Sequence, residues 1–203
     1  KRLVVIPVKS KPEPSSFDAQ VRQKGLRWIE ESGLDSTQPV PVGKKVKPLW
    51  QVCLPELLEA YGRICAYVCI YIEEVTGSAT VEHFVPKSRR LDLAYEWSNY
   101  RLVCGAMNGS KSNFEDVLDP FTLKKSTFQL NLVSGAILVN TKLATLSKTK
   151  ALETVSRLKL DSPKCRRLRL RYFNKYIQNQ IDAGYLQEHA PFVYLEMKRQ
   201  KLL

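Results

Sequence analysis

The chain has 203 residues, of which 44% are hydrophobic and 26% are charged, and its formal net charge is +12 at pH 7. These values exclude a wholly disordered chain, and the length allows one compact core or one core with a small appended lobe. The excess of Lys and Arg favours a polyanionic partner, with nucleic acid ahead of a membrane surface, and charge that serves solubility alone is the alternative.

Two further features of the sequence indicate the compartment. The longest apolar run, residues 64–72, is far shorter than the ~20 residues that cross a bilayer, and no signal-peptide pattern is visible. The five cysteines are an odd number, which favours reduced thiols over a disulfide framework. The sequence therefore predicts a cytoplasmic protein without a membrane segment.

The first quarter of the chain alternates short elements with loops. Residues 3–8 predict a short edge strand, because a proline within the run limits its hydrogen-bond ladder. A helix is expected to follow, with Ser15 or Ser16 as its N-cap and Gly33 just past its end. Residues 34–49 contain prolines, a glycine and no helical period, and they predict a surface loop; contact of its lysines with a phosphate backbone is the alternative.

The middle of the chain predicts short strands and helices joined by turns. They are a helix over 55–61, strands over 64–72, 80–85 and 99–104, and a helix that begins near Ala106.

Beyond residue 120 the pattern changes to a hairpin followed by basic helices. Alternating residues around Ser134 and Gly135 predict a β-hairpin. Residues 142–181 read as helical, and from Lys142 to Lys175 there are eleven Lys or Arg and two acids. Helical spacing predicts one buried apolar face and one basic face that is free to meet a partner. The apolar face holds Leu170, Phe173, Ile177 and Ile181, and the basic face holds Lys164, Arg167, Arg171 and Lys175.

Reactive side chains are concentrated between residues 79 and 114. His83 follows Glu82 directly, fifteen residues separate it from Asn99, and eight more separate Asn99 from Asn108. A neutral histidine accepts a proton from water at pH 7, and a glutamate oxygen suits Mg²⁺ or Mn²⁺. Asn108 would add a neutral oxygen to the same ion, Asn99 would orient His83, and Lys111 would neutralise a phosphate. This inventory suits the attack of water on a phosphodiester.

Each of these side chains also has an ordinary structural interpretation. A strand histidine is often a core residue, a glutamate or lysine is often solvated, and asparagine often caps helices or forms turns. Strict alternation along a strand would also direct Glu82 and His83 to opposite faces, unless the strand ends at the site.

The combination resembles a known motif. The HNH endonucleases, a family built on a ββα-metal finger, carry a motif similar to three segments here: EHFVPKS, WSNYRLVC and MNGSKS. The resemblance implies that His83 activates water, that Glu82 and Asn108 hold a single Mg²⁺, and that Asn99 is structural. Lys111 matches a lysine often found at that place. The third motif residue is Asn here rather than His, a variant that the family also contains.

Cysteines mark a departure from that family. Many of its members carry two CxxC pairs that bind a structural zinc ion. Here one extra residue separates Cys65 from Cys69, and Met107 stands where Cys104 would have its partner. The sequence therefore predicts against structural zinc and predicts these cysteines as small core side chains.

The flanking segments extend the resemblance. The chain resembles the HNH subunit of Septu-type antiphage systems, a subunit that also accompanies retrons. The segments that carry this resemblance are PEPSSFDAQVRQKGLRWI, LDPF and TVSRLKLDSPKCRRLRLR. It implies the nuclease effector of a bacterial defence complex with an ABC/SMC-like ATPase, and in retrons with a reverse transcriptase and its RNA–DNA. DNA is the favoured substrate. The alternatives are an RNA such as a tRNA loop, or a non-catalytic nucleic-acid-binding or scaffold subunit.

The predicted architecture is therefore an α+β protein in one compact unit. An N-terminal elaboration over residues 1–62 precedes a ββα-metal core over 63–120, and a hairpin with a basic helical region follows over 121–203. Lys87 in the loop after the catalytic strand, with Arg167 and Arg171 on the basic face, completes the predicted nucleic-acid-binding set.

Overall fold

The computed structural model describes residues 8–124 and 127–203, which form a mixed α+β protein. These residues fall into two compact units. The N-terminal unit consists of Ser10–Arg63 and Ile72–Glu115, and the C-terminal unit contains Ile64–Tyr71 and Asp116–Leu203. The C-terminal unit is discontinuous in the sequence, and the three segments expected over residues 1–62, 63–120 and 121–203 stay a prediction. The edge strand expected over residues 3–8 lies outside the described residues, apart from Val8.

The N-terminal unit begins with a helical segment, as predicted. Its first turn is a π-helix, Asp18–Arg22, which continues into α1, Gln23–Glu31. The predicted N-cap at Ser15 or Ser16 is wrong. The residue before the π-helix is Phe17, which has helical backbone angles and makes no side-chain capping bond. Gly25 lies on the buried face, where an added Cβ would meet the ring of Tyr95 at 2.2 Å.

A loop and a second short helix follow. Residues 34–48 form neither helix nor strand, which confirms the predicted loop. A 3-10 turn over Leu49–Cys53 leads into α2, Leu54–Ala60, whose first turn contains Pro55. Trp50 in the 3-10 turn is buried.

The candidate motif lies on two strands and a helix, in the positions predicted. Strand β1, Ala79–His83, pairs antiparallel with β2, Tyr100–Cys104, and α3, Gly105–Lys111, follows β2 directly. The register places Glu82 opposite Arg101 and His83 opposite Tyr100.

The strand predicted over residues 64–72 is wrong. Ile64 and Tyr71 form an isolated bridge, and the chain between them makes a buried tight loop. The amide of Cys69 donates to the carbonyl oxygen of Cys65 at 2.9 Å, and Cys69 takes a positive φ of 51°. An apolar run that is buried on all sides has the composition of a central strand whatever its conformation, so its sequence pattern does not separate the two.

The rest of the C-terminal unit consists of the predicted hairpin and helices. The hairpin pairs β3, Phe128–Leu130, with β4, Ile137–Val139. Four helices follow: α4, Thr145–Arg157; α5, Pro163–Ile177; α6, Ala183–His189; and α7, Pro191–Arg199. No helix in the described part of the chain is both long enough and apolar enough to cross a membrane.

The buried face of α5 is not the predicted one. Arg169 is buried together with Cys165 and Tyr172, whereas Ile177 is 53% exposed. The guanidinium of Arg169 donates to the carbonyl oxygens of Gly135 and Leu160, each at 2.8 Å, and these long-range bonds fix which side of the helix faces inward. The predicted basic residues are exposed, namely Lys164, Arg167, Arg171 and Lys175.

Candidate active site

The N-terminal unit contains a cavity of about 600 Å³ that is lined by three of the four motif residues. Glu82 and His83 come from the end of β1, and Asn108 comes from α3. Further walls are formed by the loop over residues 40–46 and by Lys87. The motif residues are therefore brought together around one space.

Glu82 and His83 reach the same cavity although they are neighbours on a strand. Strand alternation would separate them. However, β1 ends at His83, and the chain then turns into the loop that carries Lys87. Residues 80–83 of β1 all line the cavity, so residues from both faces of the strand border one space.

His83 is held as a neutral imidazole. Its Nε2 lies 2.9 Å from the carbonyl oxygen of Ala94, and a carbonyl can only accept, so Nε2 carries the proton and Nδ1 carries the lone pair. The rings of Trp50 and Tyr100 contact the imidazole edge-to-face, with centroids 4.7 and 5.1 Å away. Burial, assisted by the positive charge of Lys87, lowers the pKa of His83 to about 3. The ring is therefore uncharged at neutral pH.

Glu82 forms a buried ion pair with Lys111. The Lys111 Nζ lies 3.0 Å from Glu82 Oε1, and the two side chains are 0% and 2% exposed. The same ammonium donates to the carbonyl oxygen of Phe84 at 3.0 Å. Lys111 is therefore buried rather than solvated, and its charge stabilises the Glu82 carboxylate inside the protein. Its expected contact with a phosphate stays a prediction.

Asn99 acts on the loop that follows β1. Its Oδ1 accepts from the amide of Val85 at 2.8 Å, and its Nδ2 donates to the carbonyl oxygens of Val85 at 3.0 Å and Leu93 at 3.1 Å. These bonds go to the backbone and not to the His83 ring. Because Leu93 precedes Ala94, whose carbonyl holds His83, Asn99 positions the imidazole indirectly.

Asn108 completes the candidate ligand pair. Its Nδ2 donates to the hydroxyl of Thr80 at 3.3 Å, which leaves the amide Oδ1 as the atom available to an ion. Mg²⁺ typically uses one or two carboxylates and fills the rest of its shell with waters and substrate phosphates. One carboxylate and one amide oxygen on the same cavity therefore fit a single Mg²⁺ or Mn²⁺. Among residues 8–124 and 127–203, no group of three or more His, Cys, Asp or Glu could hold a metal ion, so amide, water and phosphate oxygens would have to complete such a shell.

The cysteines lie in different parts of the fold. Cys65 and Cys69 belong to the C-terminal unit, and Cys104 belongs to the N-terminal unit. All five cysteines of the chain are free of disulfides, and burial raises the pKa of the Cys69 thiol above its ordinary value. The expectation against structural zinc stays a prediction.

The cavity contains residues that the motif did not indicate. Lys44 and Lys45 line it, so the loop predicted as a surface connection also faces the candidate site. Trp50 lines it as well, and the Lys87 Nζ lies 4.9 Å from the centre of its ring. Burial lowers the pKa of Lys87, and the charge of Glu82 opposes that shift. For Lys44 and Lys45, the sequence signal was a Gly-Lys-Lys run in a predicted loop.

The predicted nucleic-acid-binding residues are divided between the units. Lys87 lines the cavity of the N-terminal unit. Arg167 and Arg171 lie exposed on α5 in the C-terminal unit. The partner of this exposed basic face stays a prediction.

Comparison with known proteins adds no relative. No protein-family model matches the chain, and no curated protein matches it significantly. Function is therefore inferred from the geometry of the cavity together with the motif resemblance.

Proposed function

We propose that this protein is a metal-dependent endonuclease of the HNH type, which hydrolyses phosphodiester bonds with His83 as its general base. The observation that carries the proposal is one cavity lined by an uncharged imidazole, a carboxylate and a carboxamide. The antiparallel strands β1 and β2 followed by α3 give the order of elements that a ββα-metal finger requires. A non-catalytic scaffold needs none of these side chains around a common space.

In this mechanism His83 takes a proton from the attacking water at Nδ1. The hydrogen bond from Nε2 to the Ala94 carbonyl keeps the ring in the required tautomer. A pKa of about 3 makes the imidazole a weak base while the cavity is empty of substrate. A phosphodiester bound beside it brings negative charge, which favours the imidazolium and raises the pKa of His83. The base thus becomes stronger when its substrate is present.

Glu82 and Asn108 would hold the Mg²⁺ or Mn²⁺. When bound, such an ion supplies Lewis-acid stabilisation of the departing 3′ oxygen. Lys111 keeps the Glu82 carboxylate charged and in place through the buried ion pair. Asn99 and the Ala94 carbonyl together fix the orientation of the base.

The biological setting rests on the resemblance of the flanking segments to Septu-type and retron-associated HNH subunits. We place the protein as the effector of a bacterial antiphage complex with an ABC/SMC-like ATPase. The exposed basic face of α5 would bind the nucleic acid or that ATPase. Charge reversal at Arg167 and Arg171 is expected to weaken one of these two affinities at least tenfold, and unchanged affinities would make the face a solvated surface only.

The deciding experiment compares wild type with His83→Ala on two substrates. The purified protein, with and without its ATPase, is incubated with plasmid DNA and with tRNA in Mg²⁺ or in EDTA. We expect Mg²⁺-dependent cleavage by the wild type, and its loss in His83→Ala with an unchanged circular dichroism spectrum. His189→Ala is the matched control, because His189 lies on α6 in the C-terminal unit.

Equal cleavage by wild type and His83→Ala would remove His83 from the mechanism. The two substrates also separate DNA from RNA, which contacts to the phosphate backbone do not distinguish.

A further inference from the structure

The cavity has a positively charged wall that the proposed chemistry does not use. Three lysines line it, Lys44, Lys45 and Lys87, against one acid, Glu82. That acid is ion-paired with Lys111. The cavity therefore presents an uncompensated positive field to whatever enters it.

Main-chain hydrogen bonds hold the loop over residues 40–46 against the rest of the N-terminal unit. The amide of Val40 donates to the carbonyl oxygen of Ser88 at 2.8 Å, which ties the loop to the segment carrying Lys87. The amide of Lys44 donates to the carbonyl oxygen of Pro41 at 3.1 Å, and Gly43 takes a φ of +84° in this turn. Main-chain bonds thus fix the place of the two lysines relative to the catalytic cavity.

The end of the loop is fixed as well. The hydroxyl of Tyr95 donates to the carbonyl oxygen of Lys47 at 2.9 Å. Trp50, a few residues further on, is buried against the ring of His83. The segment that carries the lysines therefore ends in direct contact with the candidate base.

We propose that Lys44 and Lys45, together with Lys87, form a subsite for the phosphate backbone of the nucleic-acid strand that is cleaved at His83. The inference rests on the proposed function and adds to it the way in which the substrate is held. The cavity volume of about 600 Å³ admits a short piece of a strand, since cavities of ~300–1,000 Å³ enclose small ligands. Lysines on phosphates position a strand without reading its bases, so the subsite is indifferent to sequence.

Binding in EDTA tests the subsite without any chemistry. The probes are a fluorescein-labelled single-stranded DNA of about 20 nucleotides, the same sequence as RNA, and the DNA duplex, with anisotropy measured from low to high salt. Lys44→Glu/Lys45→Glu is expected to raise Kd at least tenfold for one or more probes. For the single strands it should reduce the slope of log Kd against log salt by ~0.7 for each phosphate that the variant no longer neutralises. The probe whose affinity falls most identifies the strand that the cavity takes.

A matched control separates the subsite from general charge. Lys24→Glu/Arg27→Glu makes the same change in charge at exposed positions of α1, which do not line the cavity. We expect this control to change Kd less than threefold with an unchanged salt slope. Lys44→Ala/Lys45→Ala removes the positive charges without adding negative ones, and it should weaken binding in the same direction by a smaller factor.

Three results would overturn the subsite. They are the same affinity in the cavity variants and the wild type for all probes, an equal weakening in the α1 control, and no salt-dependent binding of any probe by the wild type. Cleavage by His83→Ala, in contrast, would contradict the proposed mechanism and leave these binding measurements unaffected.

Discussion

Lys111→Met tests the buried ion pair at the candidate site. Methionine keeps most of the length and the apolar body of lysine and removes its ammonium. Glu82 is 2% exposed, so its carboxylate would stay buried without the cation that lies 3.0 Å away. Removing one partner of a buried pair costs about 3–5 kcal/mol, which is a large part of the ~5–15 kcal/mol that stabilises a typical protein.

The assay is urea unfolding in EDTA, followed by tryptophan fluorescence. The series contains wild type, Lys111→Met, Glu82→Gln and the double variant. We expect the double variant to be more stable than Lys111→Met, because it leaves no unpaired buried charge, and the double-mutant cycle gives the coupling energy. Adding Mg²⁺ should restore part of the stability of Lys111→Met through Glu82, by about 2.7 kcal/mol at 100 times Kd. Glu82→Gln should gain much less.

Two results would refute this reasoning. A loss of stability below about 1 kcal/mol in Lys111→Met would put the pair in the range of solvent-exposed salt bridges. Equal stabilisation of wild type and Glu82→Gln by Mg²⁺ would exclude Glu82 as a ligand.

Four further substitutions test the candidate site and the structure that supports it. Asn99→Ala removes three hydrogen bonds to the loop backbone and should lower the free energy of unfolding in urea by about 1–3 kcal/mol. An unchanged stability would show that the loop keeps its conformation without these bonds. For His83 in metal-free protein, the pKa of about 3 lies below the unfolded value of 6.5, so the unfolded state binds more protons between these pH values and stability falls as pH falls. From pH 7 to pH 5 the wild type should therefore lose about 2 kcal/mol more than His83→Gln, and parallel pH curves would contradict the burial of a neutral ring. Gly25→Ala places a Cβ 2.2 Å from the Tyr95 ring and should lower the free energy of unfolding by about 1–3 kcal/mol. The Cβ of Gly109→Ala meets nothing within 4 Å, and this variant should raise the free energy of unfolding by about 0.5–1 kcal/mol. Equal melting temperatures of the two variants would contradict this expectation.

Local patterns were enough to predict the elements that carry the motif. The alternation before His83 and the β-branched and aromatic run after Asn99 each indicate a strand within a few residues. The helix that carries Asn108 begins where the apolar run ends. Because these signals are local, the order of strand, strand and helix could be predicted from the sequence.

Long-range contacts decided what the sequence could not show. Arg169 is inside because carbonyl groups 34 and 9 residues away accept its hydrogen bonds, and no helical period contains that information. In the sequence, Lys111 does not differ from other lysines near the end of a short helix. Its burial depends on Glu82, which β1 places beside it. The contribution of Lys44 to the cavity likewise depends on where a loop without periodicity lies against the rest of the unit.

The group that orients the imidazole of His83 is a main-chain carbonyl. The Ala94 carbonyl accepts from His83 Nε2 and also from the hydroxyl of Tyr100, at 2.9 and 2.8 Å. No exchange of the side chain at position 94 deletes that acceptor, so substitutions at this position leave the hydrogen bond that selects the tautomer in place. An insertion or deletion between Pro86 and Ala94 would move it. If the proposed activity is correct, we expect the length of this segment to vary less among relatives than the identity of its residues.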